Sequence, residues 1–406
     1  MVGGWITETW SWHWLFLINI APGIVCALLA VQLLPREQPD VRRAGGLDWV
    51  SLAMLAVALT TLEVALKEAP ERGWASPLVL GLASLSIVST VGFARRTLSA
   101  ARPVVDLRTL VDARFAIGCL LSFVLGIGLF GSVYLMPVFL AFVRDHGPLA
   151  IGSIMLVTGL AQLATAPVAV VMERRMDARI MTGLGFLLFA VGLGLSAFQT
   201  PQTDFDEMVW PQILRGVAIM LCLLPPTRLA LGHLPPARVA DASGLFNLMR
   251  NLGGAIGLAL IDTVIYGRSP VHGREIIARL QAGDVETAQA LGIPALLFES
   301  RMGQPIDAGT TAVLAPMVEK LALAEAINEA WALIAILTLL ALCIVPFAKR
   351  AAPSQAWGSK PPTCPQRRKR LTSVDQIRCR GSARTRRPWD HATWNRTGFK
   401  PPSTSP

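Results

Sequence analysis

Glu63, Gln162, Arg215, Asn247, Arg250, Asn251 and Asp262 are the side chains with the most chemical potential in this sequence, because each lies inside a long apolar block. An ionisable or amide group surrounded by hydrocarbon is costly unless it meets a partner or a watery cavity, so such positions mark ligand contacts, proton sites or interhelical ties. Glu63 and Lys67 are spaced i,i+4 near the end of a block, which predicts a snorkelling surface pair rather than a site. Arg215 lies roughly 9 Å inside the end of its block, and Asp262 about four residues inside the end of another, at the helical rise. The matched depths predict an ion pair between them; the alternative is that each reaches the interface separately. Asn247, Arg250 and Asn251 precede Gly253, Gly254 and Gly257. Gly253 and Gly257 have the spacing that lets two helices approach closely. Asn247 and Asn251 share a face that Arg250 borders, so the cluster either lines a cavity or fixes packing. Tyr134 and Pro137 share a block with Gly126, Gly128 and Gly131. That composition permits a bend and a cavity, with core packing as the competing reading.

Soluble catalytic chemistry finds no support. The chain has no GxSxG, HExxH or P-loop pattern, and His13, His146, His233 and His272 fall in loops or at block ends. No catalytic residue, metal site or cofactor is expected, and direct use of ATP is not expected either. Cys26, Cys119, Cys222 and Cys343 lie singly in apolar blocks and read as small packing residues.

The elements that must position these groups are membrane spans. Of 406 residues 53% are hydrophobic and only 16% charged, and the apolar blocks are long enough to cross about 30 Å of hydrocarbon at about 1.5 Å per residue. Nine spans are predicted: 14–34, 48–67, 77–94, 115–142, 149–172, 180–198, 209–231, 243–266 and 325–347. The fold class is therefore an all-α integral membrane bundle. Residues 268–324 form a long connection with helical periodicity over 275–280, 285–291 and 318–323, predicting a small helical flap.

The net charge of +10 invites a nucleic-acid reading, but all of it resides after residue 350, where 12 Lys/Arg face only Asp375 and Asp390. The membrane body is neutral overall, and no nucleic-acid partner is expected. In the loops, Arg36, Arg42, Arg43, Arg95, Arg96, Arg102, Arg108, Arg114, Arg174, Arg175, Arg179 and Arg238 fall on one side, against Lys67, Arg72 and Arg144 on the other. The Arg-rich side is predicted to be cytoplasmic. This puts the C-terminus inside and the N-terminus outside, and Trp5, Trp10, Trp12, Trp14, Trp74 and Trp210 then fall near the outer headgroup level. An outside N-terminus with an odd span count predicts that sequence is missing from the front. The tail, 351–406, loses apolar periodicity and reads as disordered. Such a basic tail could bind anionic lipid at roughly 1 kcal/mol per residue, or be an out-of-frame extension.

The stretches Gly3-Gly4-Trp5-Ile6-Thr7 and Trp14 to Gly23, then Pro103-Val104-Val105-Asp106-Leu107, Trp210-Pro211-Gln212, Leu234 to Arg238 and Ala242 to Gly257 occur together in a recognisable order. In that order they resemble the fourteen-span drug:proton antiporters of the major facilitator superfamily, the EmrB/QacA type, and EmrB more than QacA. The resemblance covers residues 1 to about 350. It implies that the nine spans are equivalent to the family's sixth to fourteenth. Residues 1–34 are then the end of the N-terminal bundle, 35–114 two extra central spans with their loops, and 115–350 the C-terminal six-helix bundle. Departures are the absence of spans one to four and most of five, and a degenerate second-half loop motif at Pro167 to Arg179, with Val170 where a glycine is usual.

The resemblance implies proton-coupled export of hydrophobic drugs from a bacterial inner membrane. A proton gradient takes the place of a cofactor, and the partners are membrane lipid, small hydrophobic substrates, a periplasmic adaptor and an outer-membrane channel. Gln162, Tyr134, Asn247, Arg250 and Asn251 are its candidate cavity or coupling residues here. With one half of the family's cavity and no clear deep carboxylate, the chain as given is not expected to run coupled transport alone; span 149–172 has no acidic residue to support cation binding, and the resemblance to EmrB implies neutral or weakly acidic substrates. The alternatives are an inactive truncated remnant or membrane scaffold, and an exporter of a lipid or siderophore.

Overall fold

The computed structural model describes residues 1–33, 48–100, 105–293 and 308–348. The loop bearing Arg36, Arg42 and Arg43, the position of Arg102, the middle of 268–324 and the basic tail lie outside the described residues. In chain order the helices are α1 (Val2–Thr9), α2 (Trp14–Leu17), α3 (Ile20–Leu33), α4 (Trp49–Arg72), α5 (Pro77–Ser99), α6 (Ala113–Phe142), α7 (Pro148–Arg175), α8 (Ala178–Leu195), α9 (Phe205–Leu231), α10 (Pro236–Gln281), α11 (Val285–Ala290) and α12 (Ala308–Leu340). Among the described residues nine stretches are long and apolar enough to cross a membrane, and they coincide with the nine predicted spans. The first of them is α2 and α3 together, joined by a turn at Ile18 and Asn19.

Most helices run past the predicted limits, because backbone hydrogen bonding continues beyond the hydrocarbon until a cap stops it. Asp48, Ser76, Asp112 and Asp177 cap α4, α5, α6 and α8 by accepting from backbone N–H groups. Asp204 and Glu207 form a reciprocal capping box on α9. Gly147, which begins α7, has no side chain for this purpose. Glu8 of α1 supplies the missing acceptor by taking a hydrogen bond from Leu149 N at 2.9 Å. The largest departure is α10, an unbroken helix of 46 residues. The expected flap is therefore not separate: two of its three periodic stretches are the ends of α10 and α12, and Ile276, Leu280, Ala288, Leu291, Val318, Leu321 and Ala322 pack together there.

The principal core lies among α6, α8, α9, α10 and α12, around Leu125, Leu135, Phe139, Phe186, Phe189, Ile261, Trp331 and Ile334. Its tightest seam is the crossing of α6 and α10. A Cβ on Gly126 would fall 2.0 Å from the carbonyl oxygen of Arg250, and one on Gly253 would fall 2.0 Å from that of Phe123. Helices in lipid gain little from burying apolar surface against one another, so close van der Waals contact of this kind supplies the association. The α4–α5 hairpin, held by a two-pronged Arg96–Asp48 pair at 2.7 and 3.0 Å, leans on α10, and Trp74 donates to Thr263 at 3.1 Å. None of residues 14–33 is buried.

Several expectations need correction. Glu63 and Lys67 are both exposed and do not pair; the i,i+4 pair on α4 is Glu68 with Arg72, nearer the helix end where both heads reach water. Of the four span cysteines, Cys119 and Cys222 are buried, whereas Cys26 and Cys343 lie on the bundle's surface.

Replacing Gly253 by Ala should lower the melting temperature of the purified chain, since the overpacking cost is about 1–3 kcal/mol. Gly267→Ala, where a Cβ meets nothing within 4 Å, should be neutral in the same thermal assay. A second expectation concerns Asp204, which accepts from Arg144 at 2.6 Å and contacts His146 Nε2 at 3.1 Å. The Arg144 hydrogen bond holds its carboxyl below the usual carboxylate range, against a smaller opposing effect of burial. A lowered folded-state value contributes stability above the unfolded value, near pH 4, that is lost as pH falls through the folded one. Thermal unfolding between about pH 5 and 2.5 should therefore fall less steeply in Asp204→Asn than in the parent.

Candidate functional site

One end of the bundle carries Arg174, Arg175, Arg179 and Arg238, and a cavity of about 510 Å³ opens there between α7, α9 and α10. Its apolar wall is Leu223, Leu224 and Leu231 of α9 with Phe246 of α10, and its polar groups are Glu173, Thr227, Arg228, Ser243, Asn247 and Arg250. Such a mix of apolar area and a few convergent polar groups suits an amphiphilic small molecule.

Each polar group is placed by its helix. Arg250 stands one turn beyond Phe246 on α10, so its guanidinium lies over that ring, 5.4 Å from the centroid, in the range of a cation–π contact. Its Nε is buried without a hydrogen-bond partner. Arg228 donates to the backbone carbonyl of Glu173 at 2.8 Å, joining α9 to α7. Asn247 is exposed to the cavity and donates to Ser243 O at 3.0 Å. The close approach at Gly253 is one turn below, so the seam that holds α10 against α6 also fixes where Arg250 sits. Ser122 of α6 reinforces it by donating to Phe246 O at 3.3 Å.

The structure thus brings Asn247 and Arg250 to one cavity and leaves the other three candidates, Tyr134, Asn251 and Gln162, outside it. Asn251 is exposed but turned away from the lining. Gln162 of α7 lies elsewhere on that helix, half-buried, where its backbone comes close to Gly216 of α9. Nearby, Gln212 rather than Gln162 ties these two helices, accepting from Thr158 at 2.6 Å and donating to Ile154 O at 2.9 Å.

Arg215 and Asp262 do not pair. Tyr134 of α6 donates to Asp262 of α10 at 2.8 Å, while Arg215 of α9, only 3% exposed, places its guanidinium 4.8 Å from the ring centroid of the fully buried Trp331 on α12. Their depths match, but their helices turn them to different neighbours: Asp262 faces α6, and Arg215 faces α8 and α12, with its Cγ against Gly192. Depth can be counted along a sequence; rotation about the helix axis needs the packing partner. The Tyr134–Asp262 pair is thus a carboxyl group within a span whose one hydrogen-bond partner among the described residues is a neutral phenol.

A further polar cluster escaped the residue-by-residue reading: Arg268 and His272 of α10 with Glu325 and Glu329 of α12, at the end opposite the cavity. The i,i+4 repeats on both helices were its visible signal.

The sequence profile of the Major Facilitator Superfamily matches residues 1–258. Among curated relatives, the chain is 36% identical over 281 residues to the colistin resistance protein EmrB of Acinetobacter baumannii, covering 68% of this chain and 54% of that one. It is 30% identical over 275 residues to the multidrug export protein EmrB of Escherichia coli K12, covering 67% and 53%. It is 27% identical over 274 residues to the fatty acid resistance protein FarB of Neisseria gonorrhoeae, covering 67% and 54%. The chain spans about half the length of these relatives. With a profile match over more than half of its residues and, among the described residues, nine apolar helical stretches long enough to span a bilayer, this chain is a membrane protein that belongs to the Major Facilitator Superfamily.

Proposed function

We propose that the chain is the C-terminal part of a proton-coupled exporter of hydrophobic compounds in the bacterial inner membrane, a carrier and not an enzyme. The observation that carries this reading is the cavity at Arg250, an apolar recess with convergent polar groups in a chain similar to proteins named for colistin resistance and for multidrug export. Its nine spans stand for the sixth to fourteenth of the fourteen-span type. Residues 35–114 supply the extra central pair, and 115–350 the six-helix bundle.

By the distribution of Arg, the cavity opens to the cytoplasm and the C-terminus is cytoplasmic. Arg228 and Arg250 against the single acid Glu173 make the lining net basic, which favours neutral or weakly acidic amphiphiles over cations. The coupling proton binds Asp262. An ionised carboxylate within a span is costly, and its phenol partner on α6 can hydrogen-bond to either protonation state, so proton uptake there changes how α6 and α10 are tied. The periplasmic adaptor and outer-membrane channel would meet the opposite end, where α10 and α12 extend past the other helices.

The reading is tested by fusing the N-terminal half of the Acinetobacter relative to this chain in cells stripped of their own drug exporters. Accumulation of a fluorescent hydrophobic drug should fall, and should recover when the proton gradient is collapsed. Unchanged accumulation with the fusion correctly inserted would reject export. Within an active fusion, Arg250→Ala should weaken handling of an anionic drug by roughly tenfold or more, the scale of one lost hydrogen bond to a charged group, with a smaller effect on a neutral one. Asp262→Asn should leave binding intact while efflux loses its dependence on the pH gradient, measured as uptake into inverted vesicles with and without an imposed gradient.

A further inference from the structure

At the end of the bundle opposite the cavity, a buried imidazole is held between two carboxylates from a neighbouring helix. His272 of α10 is 8% exposed. Its Nε2 lies 2.9 Å from Glu329 Oε1 and its Nδ1 lies 3.0 Å from Glu325 Oε2, both on α12. The other charged groups facing it from α10 are Arg268, which bonds to both oxygens of Glu329 at 2.7 and 2.8 Å, and Glu275, 3.9 Å from Nδ1. Glu275 is in turn 3.9 Å from Arg279. Farther out on α12, Lys320 pairs with Asp145 of the α6–α7 connection.

This arrangement has a preferred protonation state. A neutral imidazole carries one N–H and one lone pair, so between two carboxylate oxygens one of its contacts would set lone pair against lone pair. An imidazolium donates at both nitrogens, and charge-assisted bonds of this length are the strong kind. Without that proton, the three carboxylates Glu275, Glu325 and Glu329 would face only Arg268, on Glu329, and the more distant Arg279, on Glu275. The contact also lies beside the small apolar cluster of Ile276, Leu280, Leu291, Val318 and Leu321, which packs the far ends of α10 and α12 against the α11 stretch.

We propose that His272, Glu325 and Glu329 form a proton-binding clasp: with a proton on His272 the far ends of α10 and α12 are tied together, and its release lets them part. The inference rests on this geometry alone and stands whether or not the chain exports drugs. Its sign follows from linkage. The tied state carries the additional proton, so its stabilisation is greater at low pH and smaller at high pH.

Hydrogen exchange of the full chain in lipid nanodiscs, followed by mass spectrometry over residues 274–291 and 316–323 and corrected for intrinsic rates, tests the clasp. The parent should be at least tenfold better protected at pH 5.5 than at pH 8. His272→Gln, which cannot be charged, should show the weaker protection at both values. His272→Lys, which keeps a cation there, should lose the pH dependence and stay nearer the protected level. Equal protection of the parent at both pH values would overturn the proposal. So would a pH dependence that survives in His272→Gln, because the proton would then reside on a glutamate. Protection of α6 in the same samples shows that each variant is folded, and the parent's own pH series decides the matter if a variant is not.

Discussion

The structure hangs on a contact between two backbones. Where α6 crosses α10, glycines at 126 and 253 let each helix rest on a carbonyl of the other, at a distance that no side chain would allow. Lipid offers helices little reason to associate beyond shape, so this contact decides how α10 is turned. Because α10 is one continuous helix, its rotation is settled for its whole length by what happens at the crossing. Arg250 and Asn247 then face a cavity at one end, Asp262 meets Tyr134 farther along, and His272 meets α12 at the other end.

The buried and half-buried polar groups of the spans are managed by different means according to what surrounds them. Gln212 spends both ends of its amide on α7. Asp262 has a phenol, and Arg228 a backbone carbonyl. Arg215 has the face of an indole and leaves its Nε without an acceptor. Among the described residues none of the three ionisable ones, Asp262, Arg228 and Arg215, is paired with an opposite charge, although carboxylates and guanidinium groups are both present within the spans. Ion pairs appear instead near helix ends, as in Arg96–Asp48 and Arg144–Asp204. There water lowers the cost of bringing charges together, and the pairs tie one element to the next.

Much of this was legible in the sequence, and the limits were physical. Hydrophobic length alone located all nine spans, because crossing a bilayer demands it. The glycines at 253 and 257 announced a close helix approach, and Asn247 and Arg250 beside them announced a polar cluster, whereas Gly126 pointed only to a bend, a cavity or core packing. What could not be read was rotation. Arg215 and Asp262 sit at the same depth and look like partners until the helices are packed, when one turns to Trp331 and the other to Tyr134. Asn251 and Gln162 failed in the same way: a polar residue in a span can be recognised by type, but its direction belongs to the neighbour it is pressed against. Helix ends were misjudged for a different reason. Hydropathy measures the hydrocarbon, whereas α10 and α12 continue as helices through the headgroup zone and beyond.

That continuation makes α10 a lever. At about 1.5 Å per residue its 46 residues form a rod roughly 69 Å long, more than twice the hydrocarbon thickness it crosses, with its fulcrum at the glycine seam. His272 lies about 28 Å from Gly253 along that rod, so a tilt of about 5° moves it by about 2.5 Å, close to the length of the bonds that hold it. Arg250, one turn from the fulcrum, barely moves under the same tilt. A small rotation about the seam, carried past Pro270, therefore displaces the far end several times more than it displaces the cavity's cation.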